Sequence, residues 1–437
     1  MKYVEGARKL FLNTGTTFPR ELIWSVALVK LASARSNHTL GKLDDALFQA
    51  VSTAASATMN GDYDGLVTVD VFQTGSGTGI NMNVNEVIAE VSSRDSGLKV
   101  HANDHVNMGQ SSNDVVPTAI RIAAVWLTVK DLVPSINRMI RSLDDLSTKT
   151  SSVYKAGRTH LRDAMPVTLG QEFHAYVDAL SHDKKLIQDV LGYVKELPIG
   201  GTAVGTGVNS HPEFGKMVVD EVNRETKLGF REANDRFRAM RLLSDMVALS
   251  SVLRVVALDL HRMCQDLRLM FSGPLTGLGE VDLPRQGEVA GSSIMPGKTN
   301  PVTVEASLLA CSQIIGLDHA NQMAGTLGEF ELSMGVPLMG YNVTLQVKLL
   351  SEALNKMSSN VVQGLVPNKN RMRRFAETSP SLITVLSPTI GYDKATKIGK
   401  KLSESHSIRE ALKELGYKDK EIDHLLDLKK LVGRPKK

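Results

Sequence analysis

The sequence predicts an all-α protein in which a long central helix bundle lies between smaller N- and C-terminal domains. Three observations predict it. Aromatic residues make up only 5% of the 437 residues while hydrophobic residues reach 42%, and such a balance favours helix-on-helix packing over a sandwich. Apolar residues recur with helical period in five long stretches. In the longest, Ala239 to Met270, Leu242, Leu249 and Leu253 make the other faces apolar too. A helix apolar all round is buried, and over this length it needs several helical neighbours.

The bulk numbers exclude several classes. Net charge is +4, with Arg434, Lys436 and Lys437 supplying much of it, too little and too scattered for a nucleic-acid partner. Cys264 and Cys311 fall inside apolar helical patterns without metal spacing, so they read as small buried hydrophobes. MKYVEGARKL lacks an apolar signal core, and no run is long enough to span a membrane. The expectation is a soluble, cytoplasmic protein with no membrane partner.

Residues 1–110 read as a mixed, mostly helical N-terminal domain, with early turns at Asn13-Thr14-Gly15 and Phe18-Pro19. Its first chemical stretch is QTGSGTGINMNVNE, Gln73 to Glu86. A Gly-rich loop ahead of a helix suits an anion, but the lysine of a P-loop and a preceding strand are missing, which counts against a nucleotide. Next, His101, Asn103, Asp104 and His105 cluster as a metal site would. Their mix and spacing match no standard zinc or calcium loop, and a polar turn is the simpler reading.

The central domain runs from 111 to 368. Ser111-Ser112-Asn113-Asp114 reads as the N-cap of an apolar helix, Ile120 to Leu132. The helical pattern continues to Leu143, with a kink expected at Pro134. In AGRTHLRDAMPVTLGQEF, Thr159 and His160 sit in a polar turn ahead of Pro166 and a helix starting near Thr168. LPIGGTAVGTG, Leu197 to Gly207, is a second Gly/Thr loop. The remaining bundle helices are expected over Val167 to Val194, Val304 to Met323 and Asn342 to Met357. Their lateral apolar surface suits further subunits.

GSSIMPGKTNPVTVE, Gly291 to Glu305, organises the rest. Ser292 and Ser293 lie between Gly291 and a Pro296-Gly297 turn, followed by the fixed charge of Lys298. Asn300 reads as an N-cap with Pro301 at the first helical position. Hydroxyls, an ammonium and free helix N–H groups then converge, which suits a carboxylate. Residues 369–437 read as a small, more charged helical domain.

The Gly291 to Glu305 stretch is similar to the family signature of the aspartase/fumarase superfamily. Together with the polar stretches before it and Gly391-Tyr392-Asp393-Lys394-Ala395, the chain most resembles the class II fumarases within it. The resemblance covers nearly the whole chain. It implies a bundle pooled in a homotetramer, with each site drawn from three subunits. It also implies a small dicarboxylate substrate, fumarate or malate, and no cofactor or metal. Ser292 is then the base, His160 the group that handles the proton of water, and Glu305 the residue that orients His160. Ser76, Thr78, Ser111, Ser112, Asn113, Thr159, Lys298 and Asn300 would hold the substrate. His101, Asn103 and Asp104 would form a second carboxylate site, and the Leu197 to Gly207 loop would border the main one.

Three rival readings stand beside this one. Ser, His and Glu suggest an acyl-transfer triad, against which count the helical fold and the lack of a G-x-S-x-G elbow. An aspartate ammonia-lyase of the same superfamily typically carries glutamine where His160 stands. A non-catalytic oligomer would let the polar stretches decay, and here they are intact.

Overall fold

A computed structural model describes residues 2–402 and 407–433, so Arg434, Lys436 and Lys437 lie outside the described residues. Helix accounts for 67% of the described residues and the strands among them are few and short, as an all-α class requires. The chain divides into two compact units, Met1–Ser135 with Asp183–Leu258 and Ala310–Glu352, and Ile136–His182 with Asp259–Leu309 and Ala353–Lys437.

In the first unit the helix Arg20–Thr39 is buried along most of its length and packs against Asp45–Asn60, Ser112–Leu127 and Phe214–Thr226. Its Val, Ala, Leu and Ile residues are buried on all sides, and Ser25, Lys30, Ser33 and Ser36 are buried with them. Asp44 caps the helix Asp45–Asn60, accepting the Leu47 N–H, and Gly61 ends it at φ 95°. The disturbance expected at Pro134 takes the form of a wide turn over Thr128–Leu132, where the Val133 N–H reaches the Thr128 carbonyl. Proline supplies no N–H to the regular ladder, so the preceding turn loosens.

The longest expected helix is interrupted. A short helix, Arg236–Arg241, stops at an extended Leu242, and the long helix begins afresh as Ser244–Phe271. Arg121 takes the freed Leu242 carbonyl as a hydrogen-bond acceptor. The other long helices, Leu169–Val194, Val302–Ala324 and Val336–Lys356, follow the apolar periodicity closely at their C-terminal ends.

The second unit holds the departure from the sequence reading. Tyr154–Thr159 and Arg162–Thr168 form an antiparallel hairpin, β1 and β2. The polar turn expected around His160 is its two-residue tip, with His160 and Leu161 at φ 55° and 56°. Both residues at positive φ make the primed type of turn that matches strand twist. At the C-terminal end of this unit, Leu382, Leu386, Ile398, Ile408, Leu412 and Ile422 build a small apolar core of their own.

Candidate active site

Three of the polar stretches come together in the first unit. Ser111 caps its helix by accepting the Asn113 N–H at 3.2 Å, while the Ser111 N–H donates to Asp114 Oδ1 at 2.9 Å. The other oxygen, Asp114 Oδ2, accepts the Gly200 N–H at 3.0 Å and the Thr202 N–H at 2.9 Å. Asn113 donates to the Ala203 carbonyl at 2.8 Å. The second Gly/Thr loop is therefore fastened to the start of the Ser111 helix. The Gly-rich loop joins them: Ser76 and Thr78 hydroxyls lie 2.9 Å apart, and a Cβ on Gly77 would stand 2.6 Å from Val116. Asn81 donates to the buried Ser112 hydroxyl at 3.2 Å. Hydroxyls, amides and a helix N-terminus are thus tied together within this unit, and groups of these kinds can hold a carboxylate.

Beneath this region lies a lysine the sequence reading passed over. Lys30 is fully buried and donates to Asn107 Oδ1 at 2.7 Å and Gln110 Oε1 at 3.0 Å. Burial pulls its pKa down to about 7, with the Asp114 carboxylate opposing. Burial likewise pushes Asp114 up to about 6 against its backbone hydrogen bonds and Lys30. A single lysine inside an otherwise apolar helical run was the available signal, together with Asp114 at the third position after the cap.

His101, Asn103 and Asp104 stand exposed on a wide turn, Ala102–Val106. His101 Nδ1 lies 3.1 Å from Asp104 Oδ2 and accepts the Asp104 N–H at 3.2 Å. Among the described residues no three His, Cys, Asp or Glu side chains are grouped to hold a metal ion.

In the second unit the serine loop is shaped by its own backbone. Ser292 Oγ accepts the N–H of Ile294 at 3.2 Å and of Met295 at 2.9 Å. Gly297, at φ 76°, turns the chain so that the Lys298 N–H reaches the Met295 carbonyl at 3.3 Å. Asn300 is not the N-cap that the sequence reading made it. Its amide donates to the Gly291 carbonyl and closes the loop, and Pro301 offers its carbonyl to the Glu305 N–H at 2.9 Å. The helix accordingly starts at Val302. Gly291 has no room for a side chain, because a Cβ would overlap the Lys298 carbonyl oxygen.

Thr159, His160, Lys298 and Glu305 are exposed in the single chain. Among the described residues the side chains of His160, Lys298 and Glu305 have no hydrogen-bonding partner, so the expected pairing of His160 with Glu305 is not made within this chain. Below the hairpin tip, Arg158 and Lys155 both reach Glu280, which the sequence reading also missed.

The comparisons with known proteins show the family. A family model described as lyase matches residues 2–316, and one described as fumarase C C-terminus matches residues 382–433. The chain is similar to a class II fumarate hydratase of Saccharolobus solfataricus, 62% identical over 432 residues, 99% of this chain and 98% of that one. The chain belongs to the class II fumarase family. A class II fumarate hydratase of Corynebacterium efficiens is 43% identical over 95% of this chain and 89% of its own. The crystal structure of a class II fumarase from Schistosoma mansoni superposes with a TM-score of 0.94 at 32% identity, covering 98% of this chain and 94% of that one. A lyase family has no use for an acyl-transfer triad. The names of these relatives favour hydration over loss of ammonia.

Proposed function

We propose that the protein catalyses the reversible addition of water to fumarate, giving malate. One observation carries the reading beyond family membership: Ser292 Oγ sits on two backbone N–H groups, with Lys298 on the same loop. Hydrogen bonds to an oxygen favour its charged form, so this hydroxyl is prepared to become a base. In the direction of dehydration, Ser292 removes a proton from the methylene carbon of malate. The carboxylate next to that carbon takes up the electron pair as an enediolate-like intermediate. Lys298, Asn300, Thr159, Ser76, Thr78 and Ser111 to Asn113 hold the two carboxylates, and each well-aimed donor contributes on the order of 3 kcal/mol at the developing charge. His160, oriented by Glu305, gives the proton that lets hydroxide leave as water. The step needs no external electron acceptor.

In this reading the protein works as a cytoplasmic homotetramer, with each site shared between subunits. The exposure of His160, Lys298 and Glu305 in one chain supports that, because acid–base groups work best where water is excluded. No helix among the described residues is long and apolar enough to cross a membrane. The test is turnover of malate and of aspartate, followed by fumarate absorbance. Malate alone should turn over; turnover of aspartate alone would replace hydration by ammonia elimination.

A further inference from the structure

The hairpin that carries His160 is anchored by a buried charge cluster that the proposed chemistry does not use. Glu280 is 0% exposed and Lys155 2%. Arg158 grips Glu280 with two nitrogens, Nη1 at 3.2 Å and Nη2 at 2.7 Å, and Lys155 Nζ lies 3.0 Å from Glu280 and 2.7 Å from Glu172. In a regular strand, residues 155 and 158 point to opposite faces. Here both long side chains nevertheless reach one carboxylate, beside a point where the ladder is irregular.

The pairing Ala156↔Pro166 gives way to Arg158↔Asp163, so Gly157 stands opposite both Ala164 and Met165. A bulge bends the strand and increases its local twist. Gly157 permits it, since a Cβ there would come within 2.5 Å of the Met165 carbonyl oxygen. The Ala164 carbonyl on the bulged strand accepts the Ser381 hydroxyl at 2.5 Å. Beyond the bulge the ladder lasts only two pairs, ending at Thr159↔Arg162.

The tip therefore takes its direction from the strands below it. His160 and Leu161 both hold positive φ, a conformation that costs a non-glycine residue energy and persists where surrounding structure enforces it. Apolar residues of the same shape would serve stability as well as the buried Lys155 and Glu280 with their half-buried partners do, whereas a two-point guanidinium–carboxylate contact fixes orientation.

We propose that Arg158 and Glu280 are positioning residues for the hydration, acting through the hairpin to aim His160. Glu280 opens the segment that runs on to the Ser292 loop, so the contact also ties the two catalytic segments to one frame. The inference rests on the role given to His160 above. A small misplacement of an acid–base group is costly in rate while leaving substrate binding nearly intact.

The test is a kinetic double-mutant cycle on the full-length protein, with Arg158→Lys and His160→Asn singly and together. Arg158→Lys keeps a charge beside Glu280 and loses only the fork, which favours folding; Glu280→Gln takes the carboxylate from Arg158, leaves Lys155 with Glu172 alone, and is the harsher variant. Arg158→Lys should lower kcat by about tenfold to a hundredfold and leave the malate KM within about twofold. In the His160→Asn background, measured on residual turnover at high enzyme concentration, the same change should cost nothing further. An equal loss in both backgrounds, or wild-type kcat in Arg158→Lys, overturns the inference while leaving the role of His160 standing. Wild-type turnover in His160→Asn overturns that role, and the inference with it.

Discussion

Arg121 and Asp245 form a two-point ion pair in the interior, with Nε 2.7 Å from Oδ2 and Nη2 2.9 Å from Oδ1. The pair joins the helix that Ser111 caps to the start of the long helix Ser244–Phe271. Arg121 spends its remaining donors on the Pro117 and Leu242 carbonyls. Every charge in this contact is answered, which is the condition under which a buried ion pair is tolerated.

Breaking that pair on one side should be severe. Asp245→Asn leaves the guanidinium fully buried without a counter-charge, at a cost of about 3–5 kcal/mol. Urea denaturation at fixed protein concentration should show the midpoint fall with an unchanged slope. A variant with the wild-type midpoint would mean the interior accommodates a free cation there.

Stability should rise between pH 7 and 10 through Lys30. Its folded pKa lies near 7 against 10.5 for the free side chain, so the unfolded chain binds more protons across that window. The contribution is fully present above 10.5 and is lost as pH falls through about 7. Asp114 runs the other way. Its pKa is raised to about 6, so its contribution is present below 3.8 and is lost as pH rises through about 6. The check is the stability of wild type minus that of Lys30→Met, in which other titrations cancel. That difference should climb by a few kcal/mol from pH 7 to 10. A flat difference would show Lys30 charged throughout.

Ser292→Ala should lower kcat by about 10²- to 10⁴-fold, the usual contribution of a positioned proton-transfer group. The malate KM should change little and the oligomer size not at all, both read on the same preparation. Full hydration rate in a correctly assembled variant would remove Ser292 from the chemistry.

Gly291→Ala tests the loop rather than the hydroxyl. A methyl there overlaps the Lys298 carbonyl oxygen, so Ser292, Lys298 and the Asn300 closure must shift together. Because the loop is largely exposed, the melting temperature should move by less than about 4 °C, whereas kcat should fall at least about tenfold. Loss of stability with normal kcat would mean the loop geometry serves folding instead.

Much of this was readable in the chain itself. Apolar period marked the long helices, Ser111 its cap, and the order Gly291-Ser292-Ser293 with Pro296-Gly297 a closed loop, because those features depend on neighbours a few residues away. The hairpin under His160 was not readable: Tyr154–Thr159 carries Lys155 and Arg158, residues that argue for a surface until Glu280 arrives from more than a hundred residues away. Asn300 looked like a cap for the same reason, since local pattern cannot show that the Gly291 carbonyl stands within reach of its amide.

The sequence by itself determined the helical class and the polar stretches, for these are set by propensity and short-range spacing. Only the tertiary structure decided which carboxylate answers Arg121, where Lys30 is stripped of water, and how the His160 turn is aimed. Those depend on burial and on partners remote along the chain, and the energy of a charge is fixed by what surrounds it rather than by what precedes it.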